Sequence, residues 1–306
     1  MTLNLVVVGH ISQDVIVDSK GRIHEELGGT AAYSSLTAAK LGAQAGIVSK
    51  VGGDFKTRYH ELLSDHGVDV AGLTVTGEKT TAFKNSYDAE DRRTQTLLAL
   101  APAIGFPDVP SHYLGARCFH FGPIFREIDR DIVRQAHDAG ALTSLDPQGF
   151  LRCVDEAGRV RPSRWEDARG VLPFVDIYRS DEDEARLITG EKDPVKSART
   201  ISKMGPRIVL ITRERKGSIV LDESEATKVP LVLADRFADS TGAGDIYVAG
   251  FIVEYLLTRD AVRAATFGAC AASFKVEGVG VSALPTGNMV EARLRASCLN
   301  RSINRS

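Results

Sequence analysis

Short β-branched runs alternate with longer helix-forming stretches along this chain, and that alternation is the strongest constraint on its fold. Leu3–Val8 is an apolar run closed by Gly9, the pattern of a buried strand. Ala31–Leu41 is rich in helix formers and stops at Gly42. Ala45–Val51 is the next strand, closed by Gly52-Gly53. Further strands are predicted at Cys118–Phe121, Leu142–Leu145, Val175–Tyr178, Ile208–Thr212 and Ser218–Leu221. Helices are predicted at Ile128–Ala139, Glu182–Ile188, Val195–Met204 and Ile246–Leu257. Strands that alternate with helices imply a parallel sheet covered on both faces.

Two segments break the rhythm. Asp14–Glu26 alternates in polarity around Lys20-Gly21, and Leu73–Leu100 is Thr-rich with charged turns at Gly77-Glu78 and Glu90-Asp91. Both read as antiparallel strands exposed on one face, forming a small sheet that projects from the main one. Pro102–Pro110 reads as the loop that returns from it, and Asn300–Ser306 as a frayed end. No linker, repeat or low-complexity tract divides the 306 residues. The expectation is one domain over 1–306, with a lid from about 12–27 and 73–101 inserted in it.

The formal net charge of −2 gives no field that would select nucleic acid or an anionic membrane. No apolar run approaches the ~20 residues of a membrane span, and Leu3–Val8 is too short for a leader. Cys118, Cys153, Cys270 and Cys298 form no C-x-x-C pair and have no His at ligand spacing. They read as reduced thiols, so a cytoplasmic protein is expected.

The chemistry concentrates in Asp239-Ser-Thr-Gly-Ala-Gly-Asp245, just before the apolar stretch Ile246–Leu257. Small residues let the backbone turn tightly and approach a ligand. N–H groups of Gly242, Ala243 and Gly244 at a helix N-terminus suit an anion, and above all a phosphoryl group gaining charge in a transition state. Asp245 beside them can take a proton from an attacking hydroxyl. The alternative is that Asp245 is only a favourable charge on a helix end. The chain has no Gly-x-x-x-x-Gly-Lys-[Ser/Thr], and no Gly-x-Gly-x-x-Gly after its first strand, which disfavours P-loop and dinucleotide folds.

The heptapeptide resembles the signature of the ribokinase/PfkB carbohydrate kinase family, and the resemblance extends over nearly the whole chain. It implies a three-layer α/β/α ribokinase-like fold with a mostly parallel central sheet and a small β-sheet lid. Gly28-Gly29, followed by Thr30-Ala31-Ala32, is similar to the family's di-glycine substrate element. Gly9–Asp14, with Ser12 and Asp14, is similar to the end of its first strand, where an Asp binds substrate hydroxyls, and Val51–Asp54 also fits. Asp181-Glu-Asp-Glu184 resembles the Asn-x-x-Glu element, which implies that Glu184 organises Mg²⁺ through water. Thr212 to Gly217 resembles the nucleotide-contacting turn, to which Thr241 and Gly244 contribute. Gly278–Ser282, with Gly280 and Ser282, resembles a loop that holds a monovalent cation such as K⁺ together with Asp239 and Thr241. Asp181 stands where Asn is usual, Glu214 where glycine often sits, and Ser12 where ribokinase proper has Asn. Gly28–Tyr33, Phe121–Ile124 and Asp146–Gly149 resemble the inositol-kinase-like branch.

The function expected is a kinase that transfers the γ-phosphate of ATP, with Mg²⁺, to a hydroxyl of a small sugar or polyol. Asp245 would be the base, and Asp14, Ser12, Gly28 and Gly29 would hold the acceptor. A nucleoside kinase on the same scaffold, a non-catalytic sensor of nucleotide or sugar, and a hydrolase are the other readings. The resemblance further implies pairing of two copies through the lid. Asp146 follows the strand Leu142–Leu145 and, like Arg126 and Glu127, reads as a solvated loop residue, with substrate contact as the alternative. Arg126 and Glu127 read as a solvated loop, His10 as a satisfied structural residue, Arg92-Arg93 as a solvated turn, and Trp165 as surface packing before a helix.

Overall fold

The computed structural model describes residues 2–90 and 92–303. The chain begins β1 (Leu5–Val8), β2 (Ser12–Val17), β3 (Ile23–Gly28), α1 (Thr30–Lys40), β4 (Ala45–Val51), α2 (Thr57–Asp65), β5 (Asp69–Val75), β6 (Ala82–Tyr87) and β7 (Arg93–Ala99). It continues with β8 (Cys118–Phe121), α3 (Arg130–Asp138), β9 (Leu142–Leu145), β10 (Arg152–Val154), β11 (Val160–Pro162), α4 (Ala168–Val171), β12 (Ile177–Asp181), α5 (Glu182–Thr189) and α6 (Pro194–Ser202). The last elements are β13 (Ile208–Thr212), β14 (Ser218–Asp222), β15 (Glu225–Val229), α7 (Ala243–Thr258), α8 (Ala261–Lys275) and α9 (Gly287–Ile303).

A nine-stranded sheet runs β15-β14-β13-β12-β9-β8-β1-β4-β5. Its pairings are parallel except where β14 meets β13 and β15. That exception follows from a short turn at Glu214–Gly217, which can join only antiparallel neighbours. Side chains alternate between faces along each strand. Leu5 and Val7 enter one core with α1, α2, α7, α8 and α9, whereas Val6 and Val8 enter the other with α3, α4, α5 and α6. These are the three layers expected. Each fully buried aliphatic side chain contributes ~1.5–3 kcal/mol to that packing. Helix starts are set by local chemistry. Asp129 accepts from the Asp131 N–H, Asp260 from the Arg263 N–H, and Asp181 with Glu184 forms a reciprocal capping box. α7 is apolar around its whole circumference and is buried from Ile246 to Leu256.

A second sheet runs β3-β2-β6-β7, and the hairpin of β10 and β11 leans on it where the Leu97 N–H donates to the Gly158 carbonyl at 3.0 Å. Three expectations are corrected here. Leu73–Val75 belong to the main sheet, because they close β5, which pairs with β4 (Val51 opposite Val75). The second segment of the small sheet therefore begins at β6. The helix α2 and the β10–β11 hairpin were not anticipated; α2 exposes most of its length and buries only Tyr59 and Leu63. Asn300–Ile303 continue α9, while Ser306 and its two predecessors, and Asp91 of the Glu90-Asp91 turn, lie outside the described residues.

Candidate active site

The C-terminal ends of the parallel strands converge on one edge, where ligands of open α/β sheets bind. Asp14 lies beyond β1, Asp146 beyond β9, Asp181 and Glu184 beyond β12, and Thr212 at the end of β13. The N-terminus of α7 points to the same edge, and α1 packs along α7, with Ser34 Oγ donating to the Asp245 carbonyl at 3.2 Å. This packing brings Gly28-Gly29, just ahead of α1, next to the heptapeptide.

Gly242 caps α7 with φ 79°, the left-handed conformation that glycine adopts without strain. The Ala243 N–H turns to the Ser240 carbonyl at 3.1 Å, while those of Gly242 and Gly244 carry no protein hydrogen bond. Of the three N–H groups expected to face an anion, only those of Gly242 and Gly244 are therefore free to do so. A Cβ on Gly244 would meet Arg179 Nη1 at 2.5 Å, so a guanidinium lies directly against this loop. Asp245 is half-buried in the first turn of α7. Burial, then the neighbouring Asp146 carboxylate, pushes its carboxyl up to about 7, against the pull of the Thr30 hydroxyl, Arg179 and Arg152. A carboxyl in that range exchanges protons near neutral pH, as a general base requires.

Arg179 is a buried charged residue in the middle of β12. Its Nη1 donates to Asp146 Oδ2 at 2.6 Å and its Nη2 to Thr212 Oγ1 at 2.6 Å, while its buried Nε has no partner. Asp146 is itself buried and accepts from the Gln148 N–H at 3.1 Å. Glu184 Oε2 accepts from the Asp181 N–H at 2.9 Å. Burial, with Asp146 and Asp181 nearby, raises Glu184 to about 8. It borders a cavity of about 520 Å³ with Asp181, Gln148, Arg152, Gln95 and Arg93. Mg²⁺ keeps most of its waters and is held by one or two carboxylates plus donor phosphates, so Glu184 fits that ion.

Facing the small sheet, Asp14 Oδ1 accepts from the Phe83 N–H at 3.2 Å, and Gln95 Nε2 donates to Asn85 Oδ1 at 3.0 Å. Burial raises the Asp14 carboxyl to about 6, although Ser12, Phe83, Arg152 and Arg93 all oppose the shift. A Cβ on Gly28 would meet Ser12 Oγ at 2.6 Å and Asp14 Oδ2 at 2.8 Å, so only glycine leaves that carboxylate open. The Arg152 charge opposes the upward shift of both Asp14 and Asp245.

The Thr212 hydroxyl is committed to Arg179 and to the Ser180 carbonyl. Glu214 takes φ 46°, which explains why the resemblance places glycine there, and Gly217 takes φ 78°. Asp239 Oδ1 accepts from the Thr241 N–H at 2.9 Å. Gly280 and Ser282 lie in the loop after α8, with Ser282 Oγ donating to the Val279 carbonyl. Among the described residues, no group of three or more His, Cys, Asp or Glu is placed to hold a metal.

Other candidates resolve into structure. Glu127 is buried and accepts from the His10, Ile124 and Phe125 N–H groups, so it is not a solvated loop residue. His10 is buried between Thr81 and the Pro102 carbonyl. Arg126 reaches the Arg152 carbonyl, and Trp165 stacks on Phe150 at 4.7 Å. Arg92 pairs with Asp88 and Glu90, and Arg92 and Arg93 are both exposed, as expected, with Arg93 at the rim of the cavity. Sequence reasoning missed Arg179, Arg152, Asn85, Gln95 and Lys275. The one signal for Arg179 was a charge within the run Ile177–Asp181.

Free Gly242 and Gly244 N–H groups beside a carboxyl raised to about 7, at the edge of a three-layer α/β/α fold, suit a small-molecule phosphotransferase. Residues 2–121 and 128–287 match the pfkB family carbohydrate kinase, and the chain belongs to that family. It is 30% identical over 256 residues to the cytidine kinase of Thermococcus kodakarensis, covering 83% of this chain and 88% of that one. It is 24% identical over 289 residues to an inositol 3-kinase of Arabidopsis thaliana, covering 90% of this chain and 74% of that one. The structure of Arabidopsis thaliana ribokinase with ribose and ATP superimposes with a TM-score of 0.82 at 21% identity, covering 96% of this chain and 99% of that one. No helix among the described residues is long and apolar enough to cross a membrane.

Proposed function

We propose that the chain transfers the γ-phosphoryl group of ATP to a hydroxyl of a small polyol or sugar, with Asp245 as the base. The observation that carries this reading is the Asp245 carboxyl, held near pH 7 beside the free Gly242 and Gly244 N–H groups. The acceptor hydroxyl gives its proton to Asp245 as its oxygen bonds to the γ-phosphorus. The bond from that phosphorus to the β-phosphate oxygen breaks, and ADP leaves with the electron pair. Gly242 and Gly244 donate to the transferring group, and Arg179 lies behind them as a fixed positive charge. Mg²⁺, when bound, neutralises the donor phosphates, and Glu184 would hold its waters. Asp14, Ser12, Gly28 and Gly29 would seat the acceptor hydroxyls. Thr212, Gly217 and Thr241 would border the nucleotide. The small sheet would close over both substrates and exclude water, which otherwise competes as acceptor. Two copies would pair through that sheet, where Ile23 and Leu98 are exposed, in a cytoplasmic enzyme.

A nucleoside acceptor is the second reading, favoured by the 30% identity to a cytidine kinase. The test is a phosphorylation screen over inositol, ribose, fructose, ketodeoxygluconate and nucleosides with several donors. Asp245→Asn should lower kcat by roughly 10²–10⁴-fold on the best acceptor while nucleotide still binds. Activity within a few fold of the parent would refute the base assignment. No turnover on any acceptor, with nucleotide bound, would favour the sensor.

A further inference from the structure

Lys275 ends α8 and has no exposed surface. A buried ammonium is costly unless every N–H finds an oxygen and a counter-charge is near. Here both conditions are met by one loop and its neighbour. Nζ donates to Asp239 Oδ2 at 2.8 Å, to the Asp239 carbonyl at 3.3 Å and to the Gly278 carbonyl at 3.1 Å. An ammonium has three donors, and these oxygens use them all. Burial alone would raise the Asp239 carboxyl, but Lys275 and the Thr241 N–H together hold it below its usual value.

These oxygens lie on the segments that the resemblance assigns to a monovalent cation, Asp239–Thr241 and Gly278–Ser282. The residues present do not fit such an ion. The side chain of Lys275 already satisfies Asp239 and Gly278, and a second positive charge in the same shell would be repelled. We propose that Lys275 is a built-in cation that replaces the monovalent ion, so that this kinase works without K⁺. Its ammonium does what an ion would do there. It joins the end of α8 to the start of the anion loop, which is also held by the Ala238 N–H on the Val276 carbonyl at 2.7 Å. Through Asp239 Oδ1 it fixes the turn at Thr241, and that turn leads into Gly242 and Gly244. Lys275 is thus a positioning residue that acts through Asp239.

The activity arm of the test rests on the kinase reading, and the stability arm does not. Ligand-free melting would be followed while KCl replaces choline chloride at constant ionic strength. The parent chain should show no K⁺-dependent rise, whereas Lys275→Met should melt lower in choline and regain stability as K⁺ or NH₄⁺ is added. With an accepted substrate, the parent rate should change less than about twofold between the two salts, and Lys275→Met should lose about 100-fold in choline and recover much of it in K⁺ or NH₄⁺. A parent chain that gains tenfold in rate, or melts higher, with K⁺ overturns the proposal, and this measurement does not depend on the variant folding. A folded Lys275→Met that is fully active without K⁺, or inactive and not rescued by it, overturns it as well.

Discussion

Around Gly242–Asp245 the supporting groups come from the core. Arg179 arrives from β12, Asp146 from the end of β9, Ser34 from α1 and Lys275 from the end of α8. Around Asp14 they come from the small sheet instead, with Phe83 and Asn85 on β6 and Gln95 on β7. The first set is fixed by the same packing that stabilises the fold, so changes there should strike turnover and stability together. The second set hangs on a sheet whose outer strands are half exposed, so changes there should alter which acceptor binds. One scaffold can in this way keep its phosphoryl chemistry while the small sheet varies the acceptor.

The sharpest way to break this contrast is Arg179→Met. It leaves the buried Asp146 carboxylate unpaired, which should cost about 3–5 kcal/mol of stability, read from denaturant melts. Residual turnover should also fall steeply. Gly244→Ala comes next. Its Cβ would press on the Arg179 guanidinium, and displacing the loop by a fraction of an ångström should lower kcat by about 100-fold and lower melting by less than Arg179→Met does. Equal stability losses in both variants, with kcat intact, would mean that the core set is structural only.

On the acceptor side, Asn85→Leu removes a hydrogen bond to Gln95 and a polar neighbour of Asp14. KM for the acceptor should rise about tenfold with kcat nearly kept, and KM for ATP should not move. A loss confined to kcat would erase the distinction between the two halves.

The smallest effect expected is on the stability of the ligand-free protein with pH. Asp14, Asp245 and Glu184 have carboxyls raised to about 6, 7 and 8, above the ordinary carboxylate range. The folded state therefore holds protons that the unfolded chain releases. Their stabilisation is complete below about pH 4 and is lost as pH rises through 6 to 8. Melting temperature should drift down over that window, and Asp245→Asn should flatten the slope near pH 7. The rate of the parent enzyme moves the other way and should fall below about pH 7 as the base is protonated.

Much of this was legible in the sequence because it is written in local patterns. Alternation of strand and helix gave the three layers, and the bounds of β4 and β13 agree with the expectation to the residue. The heptapeptide marked the glycine turn that starts α7, because two glycines before an apolar helix let the backbone turn tightly there. The errors also have a local cause. Thr74 and its neighbours look like small-sheet strand, and only pairing with β4 decides that β5 completes the main sheet. Glu127 looked solvated because a carboxylate after Gly-Pro usually is. In the fold it answers three backbone N–H groups beneath the site.

The sequence by itself determined the layers and the glycine turn that starts α7 with Asp245 in its first turn, since helix and strand periods and glycine's backbone freedom act within a few residues. The tertiary structure alone decided what surrounds Asp245. Arg179 reaches Asp146 across 33 residues, Lys275 reaches Asp239 across 36, and Asn85 approaches Asp14 across 71. No local pattern encodes such pairs. They exist because burying a charge forces it to find a partner, and the fold determines which partner is within reach.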